Sequence, residues 1–188
     1  FQGSRGLGDV YKRQVLGRFQ PFHNGHVLLI ERALEMAGTD GNVIVAIGSA
    51  SCQMEPRNPW TADERKQMVQ SWSKQVEVVL IDDINDPPNW VEHATKTHGE
   101  GILVTSDKST AELYRESGWE VIDVGLTNRE NFEGWRIRQT AKMLSTIDDF
   151  EAVREVLSAS IPSEVIEWLI ENDALYRLST FQTGVYAG

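Results

Sequence analysis

Apolar and polar positions change their spacing several times along this chain, and each change predicts a new element. From Asn24 to Ala37 the apolar residues fall at Val27, Leu28, Ile30, Ala33, Leu34 and Ala37, the spacing of a helix with one buried face. Gly38, Asp40 and Gly41 stop it. Asn42 to Gly48 reads NVIVAIG, the continuous run of a strand buried on both faces. Thr61 with Glu64 three residues on forms a capping box, and the helix it opens runs to about Trp72. Further strands are predicted at Val76–Ile81, Gly101–Thr105 and Trp119–Val124, with Val15–Gly17 and some preceding residues ending the first. Between them, Pro87 and Pro88 open a segment helical through Trp90–Thr97, and Thr110–Glu116 is another helix. After Gly134 the pattern is helical only, at Trp135–Leu144, Asp148–Leu157 and Ser163–Asn172.

Strands alternating with helices imply parallel pairing through right-handed crossovers. The predicted fold is α/β: a doubly wound, Rossmann-like parallel sheet of five strands with a small helical C-terminal extension. Ligands of such sheets sit at the carboxyl ends of the strands, where strand order reverses. The loops after the first, second and fourth strands are therefore where chemistry is expected.

The two ends stand apart from this pattern. Residues 1–14 form a tag-derived or otherwise atypical N-terminal segment: Phe1–Ser4 looks like the stub left by tag removal, and Lys12, Arg13 and Gln14 are polar where a central strand is expected. The tail Tyr176–Gly188 carries one charge, Arg177, and three aromatics, a composition that favours docking on a surface or a neighbouring subunit.

Composition narrows the function classes. With 188 residues, 40% hydrophobic and 24% charged, the chain suits one globular domain. Its 18 basic and 28 acidic residues give a net charge of −10, which argues against a general nucleic-acid binder. The longest apolar run, Val43–Ile47, is too short to span a bilayer. A single cysteine, Cys52, excludes an internal disulfide framework and a cysteine-rich zinc site. No signal peptide is read at the start, so the expected location is cytoplasmic.

The loop Gly17-Arg18-Phe19-Gln20-Pro21-Phe22-His23-Asn24-Gly25-His26 leads directly into the first helix. Gly25 permits close approach to the backbone, and helix N-terminal amides favour an anion there. His26, in the first turn, can face the same anion as His23. No acid occurs between Val10 and Ile30 in a chain holding 28, the mark of a pocket kept free of negative charge. Taken alone, two histidines three apart fit partly exposed capping residues as well as ligands, and without a third ligand they make a poor zinc site.

The ten-residue string is similar to the signature of nucleotidyltransferases with the H-x-G-H motif, and its flanks resemble archaeal-type nicotinamide mononucleotide (NMN) adenylyltransferases. The resemblance covers roughly Val15–Leu144, a nucleotidyltransferase domain of residues 15–144 to which 145–188 add a helical extension and tail. It implies that His23 and His26 hold ATP phosphates and stabilise the transition state, with Arg18 in the same pocket. Ile47-Gly48-Ser49-Ala50 and Arg57-Asn58-Pro59-Trp60-Thr61-Ala62-Asp63-Glu64-Arg65 are similar to further family motifs. Physics alone leaves Arg65 open between a solvated and a functional role, and places Arg57 where it can pair with phosphate. The stretch Asp83 to His93 resembles D-[IL]-x5-W-V-x-H, in which the tryptophan stacks on nicotinamide; the alternative for Trp90 is a core anchor. His93 and His98 are read as structural or surface residues.

Gly134, Ile137 and Arg138 match the family pattern [IY]-S-G-T-x-[IV]-R, and Arg129 matches an upstream arginine. Glu133 and Trp135 stand where that pattern has hydroxyls, and a carboxylate there repels a triphosphate unless a metal or an arginine intervenes. The resemblance thus implies catalysis by His23, His26, Arg18 and Arg138; ATP and phosphate binding by Phe19, Gly25, Gly48, Ser49, Arg57, Arg129 and Gly134; and NMN or NAD binding by Asp83, Trp90 and Ser49. The implied reaction is adenylyl transfer from Mg-ATP to NMN, giving NAD and pyrophosphate by direct in-line attack without a covalent intermediate. Mg²⁺ is expected to be bound mainly through ATP phosphates, with no protein metal site. The implied partners are ATP and NMN in a homo-oligomer, with no nucleic acid and no membrane. The alternatives are a related enzyme with another phosphorylated acceptor, or a catalytically impaired nucleotide-binding protein.

Overall fold

The computed structural model describes residues 12–39, 41–126 and 129–181. The N-terminal segment up to residue 11 and the tail beyond 181 lie outside the described residues. Five parallel strands form one sheet: β1 (Lys12–Gly17), β2 (Asn42–Ile47), β3 (Glu77–Leu80), β4 (Ile102–Thr105) and β5 (Glu120–Asp123), in the order β3-β2-β1-β4-β5. Crossover helices are α1 (Asn24–Ala37), α2 (Ala62–Trp72), α3 (Pro87–His98) and α4 (Lys108–Glu116), followed by α5 (Gly134–Leu144), α6 (Phe150–Leu157) and α7 (Ser163–Glu171). This is the doubly wound α/β fold expected.

Lys12–Gln14 do belong to the central strand. Gln14 is fully buried, and its amide donates to the carbonyls of Gly99 at 3.2 Å and Glu100 at 3.1 Å, which is how a polar side chain is accommodated there. Helix α4 starts two residues before the predicted Thr110, because the Asp107 carboxylate caps it by accepting from the Thr110 N–H at 2.9 Å. Helix α6 starts later than Asp148, with Asp149 as its cap.

Order reverses between β1 and β4, and the pairing there opens the crevice. β1 pairs with β2 along all of Lys12–Gly17 but with β4 only at Arg13 and Gln14. The carboxyl half of β1 is thus released from its β4 neighbour, and the chain on either side can diverge around a ligand.

The helical extension is part of the same core. Val153, Leu157, Val165, Leu169 and Leu178 pack in one cluster with Val15, Phe22, Trp60 and Met68. Trp60, fully buried, donates its indole N–H to the Ala174 carbonyl at 3.0 Å. Among the described residues no helix is long and apolar enough to cross a membrane.

The described part of the tail docks on this fold, with Arg177 clamping the start of α2. Its guanidinium donates to both Glu64 carboxylate oxygens at 2.6 and 2.8 Å and to the Pro59 carbonyl at 3.1 Å. Glu64 also accepts from the Thr61 N–H at 2.8 Å, completing the capping box. Burial alone would raise the Glu64 pKa, but these hydrogen bonds outweigh it and hold the carboxyl below its ordinary value. A carboxylate depressed on folding stabilises above its unfolded pKa and loses that stabilisation as pH falls through the carboxylate range. Arg177→Ala is expected to cost about 1–2 kcal/mol in denaturant unfolding at neutral pH. That cost should shrink toward zero in a Glu64→Gln background; an unchanged cost would show that the pair is not what the substitution removes.

Candidate active site

The loop after β1 turns sharply, with Phe19 at φ 52°, and delivers His23 as the N-cap of α1. The His23 N–H donates to His26 Nδ1 at 3.2 Å. That bond leaves the ring proton of neutral His26 on Nε2. The two imidazoles are stacked with centroids 3.6 Å apart and planes 24° from parallel, and Phe19 meets His26 edge-on at 4.5 Å. Burial, with the Arg138 charge opposing protonation, pushes the His23 pKa down to about 3. Burial, then the neighbouring His23, also holds His26 well below the ordinary imidazole value. Both rings are therefore neutral at physiological pH. His23 Nδ1 is buried and has no hydrogen-bond partner.

Arg138 reaches the same place from α5. It is 3% exposed; its Nη1 donates to the Gln20 carbonyl at 2.8 Å, and its Nε is buried without a partner. Burial, then the charges of Arg18 and Arg57, pushes its pKa down to about 10, so it stays cationic at neutral pH. A buried cation with an orphaned donor, beside neutral imidazoles, is a site prepared for an anion.

These residues line a cleft of about 260 Å³, together with Arg18, Phe19, Gly25 and Gly134. A second cleft of about 280 Å³ is lined by Gly48, Ser49, Asp83, Trp90, Thr110 and Leu113, and shares Leu16 and Arg18 with the first. Here Ser49 Oγ donates to Asp83 Oδ2 at 2.6 Å. Trp90 is half-buried: it packs against Ala94, Val91 and Tyr114 while also facing this cleft, so it is both core anchor and pocket wall. Arg57 is exposed and lines neither cleft, although its charge acts on Arg138. Arg129 opens a 3₁₀ turn, Arg129–Phe132, and its side chain lies outside the described residues.

Several features differ from the sequence reading. The cation-rich cleft is not free of acid: the β4 loop brings Thr105, Ser106 and Asp107 into its wall. Asp107 is engaged as the α4 cap, also accepting from Ser109 Oγ at 2.6 Å and Thr110 Oγ1 at 2.9 Å. The close approach at Gly25 is made by the protein itself. A Cβ there would lie 2.8 Å from Phe132 Cβ and 3.1 Å from the His23 ring, so the glycine is required by packing. Phe132 was given no role by sequence; its position one residue before Glu133 was the signal available. Arg65 is neither solvated nor in a cleft, but fully buried beneath both. His98 is structural: buried, with its ring between the Gly99 carbonyl and the Tyr114 hydroxyl at 2.7 and 2.8 Å.

The Glu133 carboxylate is met by an arginine. Arg136 Nε donates to it at 2.6 Å, and the Arg136 guanidinium lies 4.7 Å over the Trp135 ring. The two residues that replace hydroxyls are thus tied to one cation on the first turn of α5.

Residues 15–161 match the profile of cytidylyltransferase-like proteins. The chain belongs to the cytidylyltransferase-like family. Within that family, a nicotinamide-nucleotide adenylyltransferase of Picrophilus torridus is 36% identical over 130 residues, covering 66% of this chain and 75% of its own. A protein of the same name from Thermoplasma acidophilum is 30% identical over 175 residues, covering 90% of both chains. Among solved structures, a bifunctional NMN adenylyltransferase/ADP ribose pyrophosphatase from Francisella tularensis has a TM-score of 0.62 at 21% identity. That match covers 88% of this chain and 52% of the other, so this cytidylyltransferase-like chain spans about half the length of the Francisella protein. It shows a shared fold.

Depressed histidines have a sign that can be tested. For His23 the unfolded chain, with its imidazole near pKa 6.5, binds more protons than the folded one between that pH and about 3, and His26 acts in the same direction, so stability falls on acidification through this window. The wild-type Tm is expected to drop between pH 7 and pH 5, less so in His23→Asn, and less when inorganic tripolyphosphate is present. Identical slopes in both proteins would contradict the burial of a neutral His23.

Proposed function

We propose that this chain is a nicotinamide-nucleotide adenylyltransferase, making NAD and pyrophosphate from ATP and NMN. The observation that carries this reading is the pair of clefts sharing Leu16 and Arg18 at the end of β1, one cation-rich and one walled by Trp90. The match to archaeal relatives of that name over most of the chain supports the same conclusion.

In this reading the polyphosphate of Mg-ATP occupies the first cleft. His23, His26 and Arg138 donate to its oxygens, the His26 Nε2 proton being the one left free by the bond to His23. NMN occupies the second, its cationic pyridinium against the Trp90 face and Ser49 and Asp83 beside it. Arg18, at the shared wall, lies where the two reacting phosphates meet.

The NMN phosphate is already anionic and needs no general base. One of its oxygens attacks the α-phosphorus as the bond to the bridging oxygen of the leaving pyrophosphate breaks. The protein aligns the groups and neutralises charge developing on the leaving group. In this reading Mg²⁺ would arrive with the nucleotide, held mainly by phosphate oxygens and water, and would neutralise charge on the polyphosphate.

Glu133 favours a second reading, a nucleotide binder with impaired turnover, since its solvent-exposed pairing with Arg136 offsets only part of the repulsion between a carboxylate at the start of α5 and phosphate. NAD formation from ATP, NMN and Mg²⁺, read with a coupled dehydrogenase, separates the two. Turnover is expected, with His26→Ala lowering kcat by at least about a hundredfold. Measurable ATP binding without NAD formation would instead support the impaired binder or another acceptor. A near-wild-type rate for His26→Ala would remove that residue from the mechanism.

A further inference from the structure

Arg65 is a fully buried cation and lines neither cleft. Its donors are used on backbone carbonyls. Nε donates to Thr61 at 3.2 Å, anchoring the guanidinium to its own helix. Nη1 donates to Arg18 at 2.9 Å and Gly48 at 3.0 Å; Nη2 donates to Ser49 at 3.0 Å and Ala50 at 3.4 Å. One rigid fork therefore binds the loop after β1 and the loop after β2 together, directly under Arg18 and Ser49. Each loop also contains a residue with left-handed backbone, Phe19 at φ 52° and Ser49 at φ 48°. Such conformations persist where the surroundings over-determine them.

We propose that Arg65 is a positioning residue that fixes the two loops in one register, so that the walls of the ATP and NMN clefts move as a unit. The proposal rests on the assignment of those substrates to the two clefts. Lysine cannot substitute: a single ammonium has three donors on one atom and cannot span carbonyls on both loops in a planar fork. The charge has a second consequence. The guanidinium remains protonated although burial pushes its pKa down to about 10, and its acceptors are dipoles, so it adds positive potential under the cleft mouth without contacting substrate.

The test compares Arg65→Lys with Arg154→Ala, which breaks the Arg154–Glu167 pair between α6 and α7, away from both clefts and from α2. Rates are measured at a temperature where both variants are folded and are expressed per folded molecule. Arg65→Lys is expected to lower kcat on the order of 100-fold and to raise KM for both ATP and NMN. Arg154→Ala should lower Tm while leaving all three parameters near wild type. If Arg65→Lys changes only Tm, or raises one KM alone, the positioning role is overturned.

A wild-type measurement covers the case in which the lysine variant does not fold. The Arg65 Nε–H resonance should be slow to exchange, and it should shift when inorganic tripolyphosphate binds and again when NMN binds. A resonance that responds to one of them only, or to neither, overturns the proposal. Tripolyphosphate binding needs no turnover, so this outcome stays distinct from a failure to make NAD.

Discussion

The constraint on which the site depends is the burial of positive charge against backbone carbonyls. Arg65 and Arg138 both lie below the surface, and the hydrogen bonds they make are to backbone carbonyls. Carbonyl dipoles compensate part of the desolvation while leaving the net charge intact for a ligand. His23 and His26 show the other response to the same burial: they stay neutral. Guanidinium, whose intrinsic basicity is too high to lose its proton, keeps the charge, and imidazole surrenders it. The result is a positive pocket in a protein whose formal net charge is −10.

That arrangement draws on parts of the chain far from the phosphate loop. Gln20 illustrates how the load is shared. Its side chain donates to the Trp60 carbonyl at 2.9 Å and accepts from the Trp60 N–H at 3.1 Å, while its own carbonyl receives Arg138. Trp60 in turn reaches Ala174 in the helical extension, and Arg177 holds Glu64 at the start of α2. The extension therefore stabilises α2, and α2 supplies the Arg65 fork.

The exchange of two hydroxyls for Glu133 and Trp135 fits the same electrostatic logic. Arg136 engages the carboxylate and stacks on the indole, so the first turn of α5 carries a paired charge where a bare anion would oppose phosphate. Asp107 is handled in a comparable way, its lone pairs occupied by the Thr110 and Ser109 donors of α4. Glu133 and Asp107, the acidic residues at this end of the sheet, are both tied to local donors.

The elements and the location of the chemistry are legible in the linear order of residues. Helix α1 runs from Asn24 to Ala37 as its periodicity predicts, the Thr61–Glu64 box caps α2, and the histidine loop lies at the carboxyl end of β1. These features are local: they depend on hydrogen bonds and apolar spacing within a few residues, which a linear pattern records. Long-range packing settles instead that Arg65 is interior, that Phe132 sets the requirement for Gly25, that Asp107 joins the cleft, and that Trp90 is both core and wall. Each of these depends on partners far along the chain, as Arg65 does on Arg18, 47 positions away, and Arg138 on Gln20, 118 positions away. An arginine reads the same in a motif whether its neighbours in space are water or carbonyl oxygens, and that difference is fixed only when the strands pair and the loops converge.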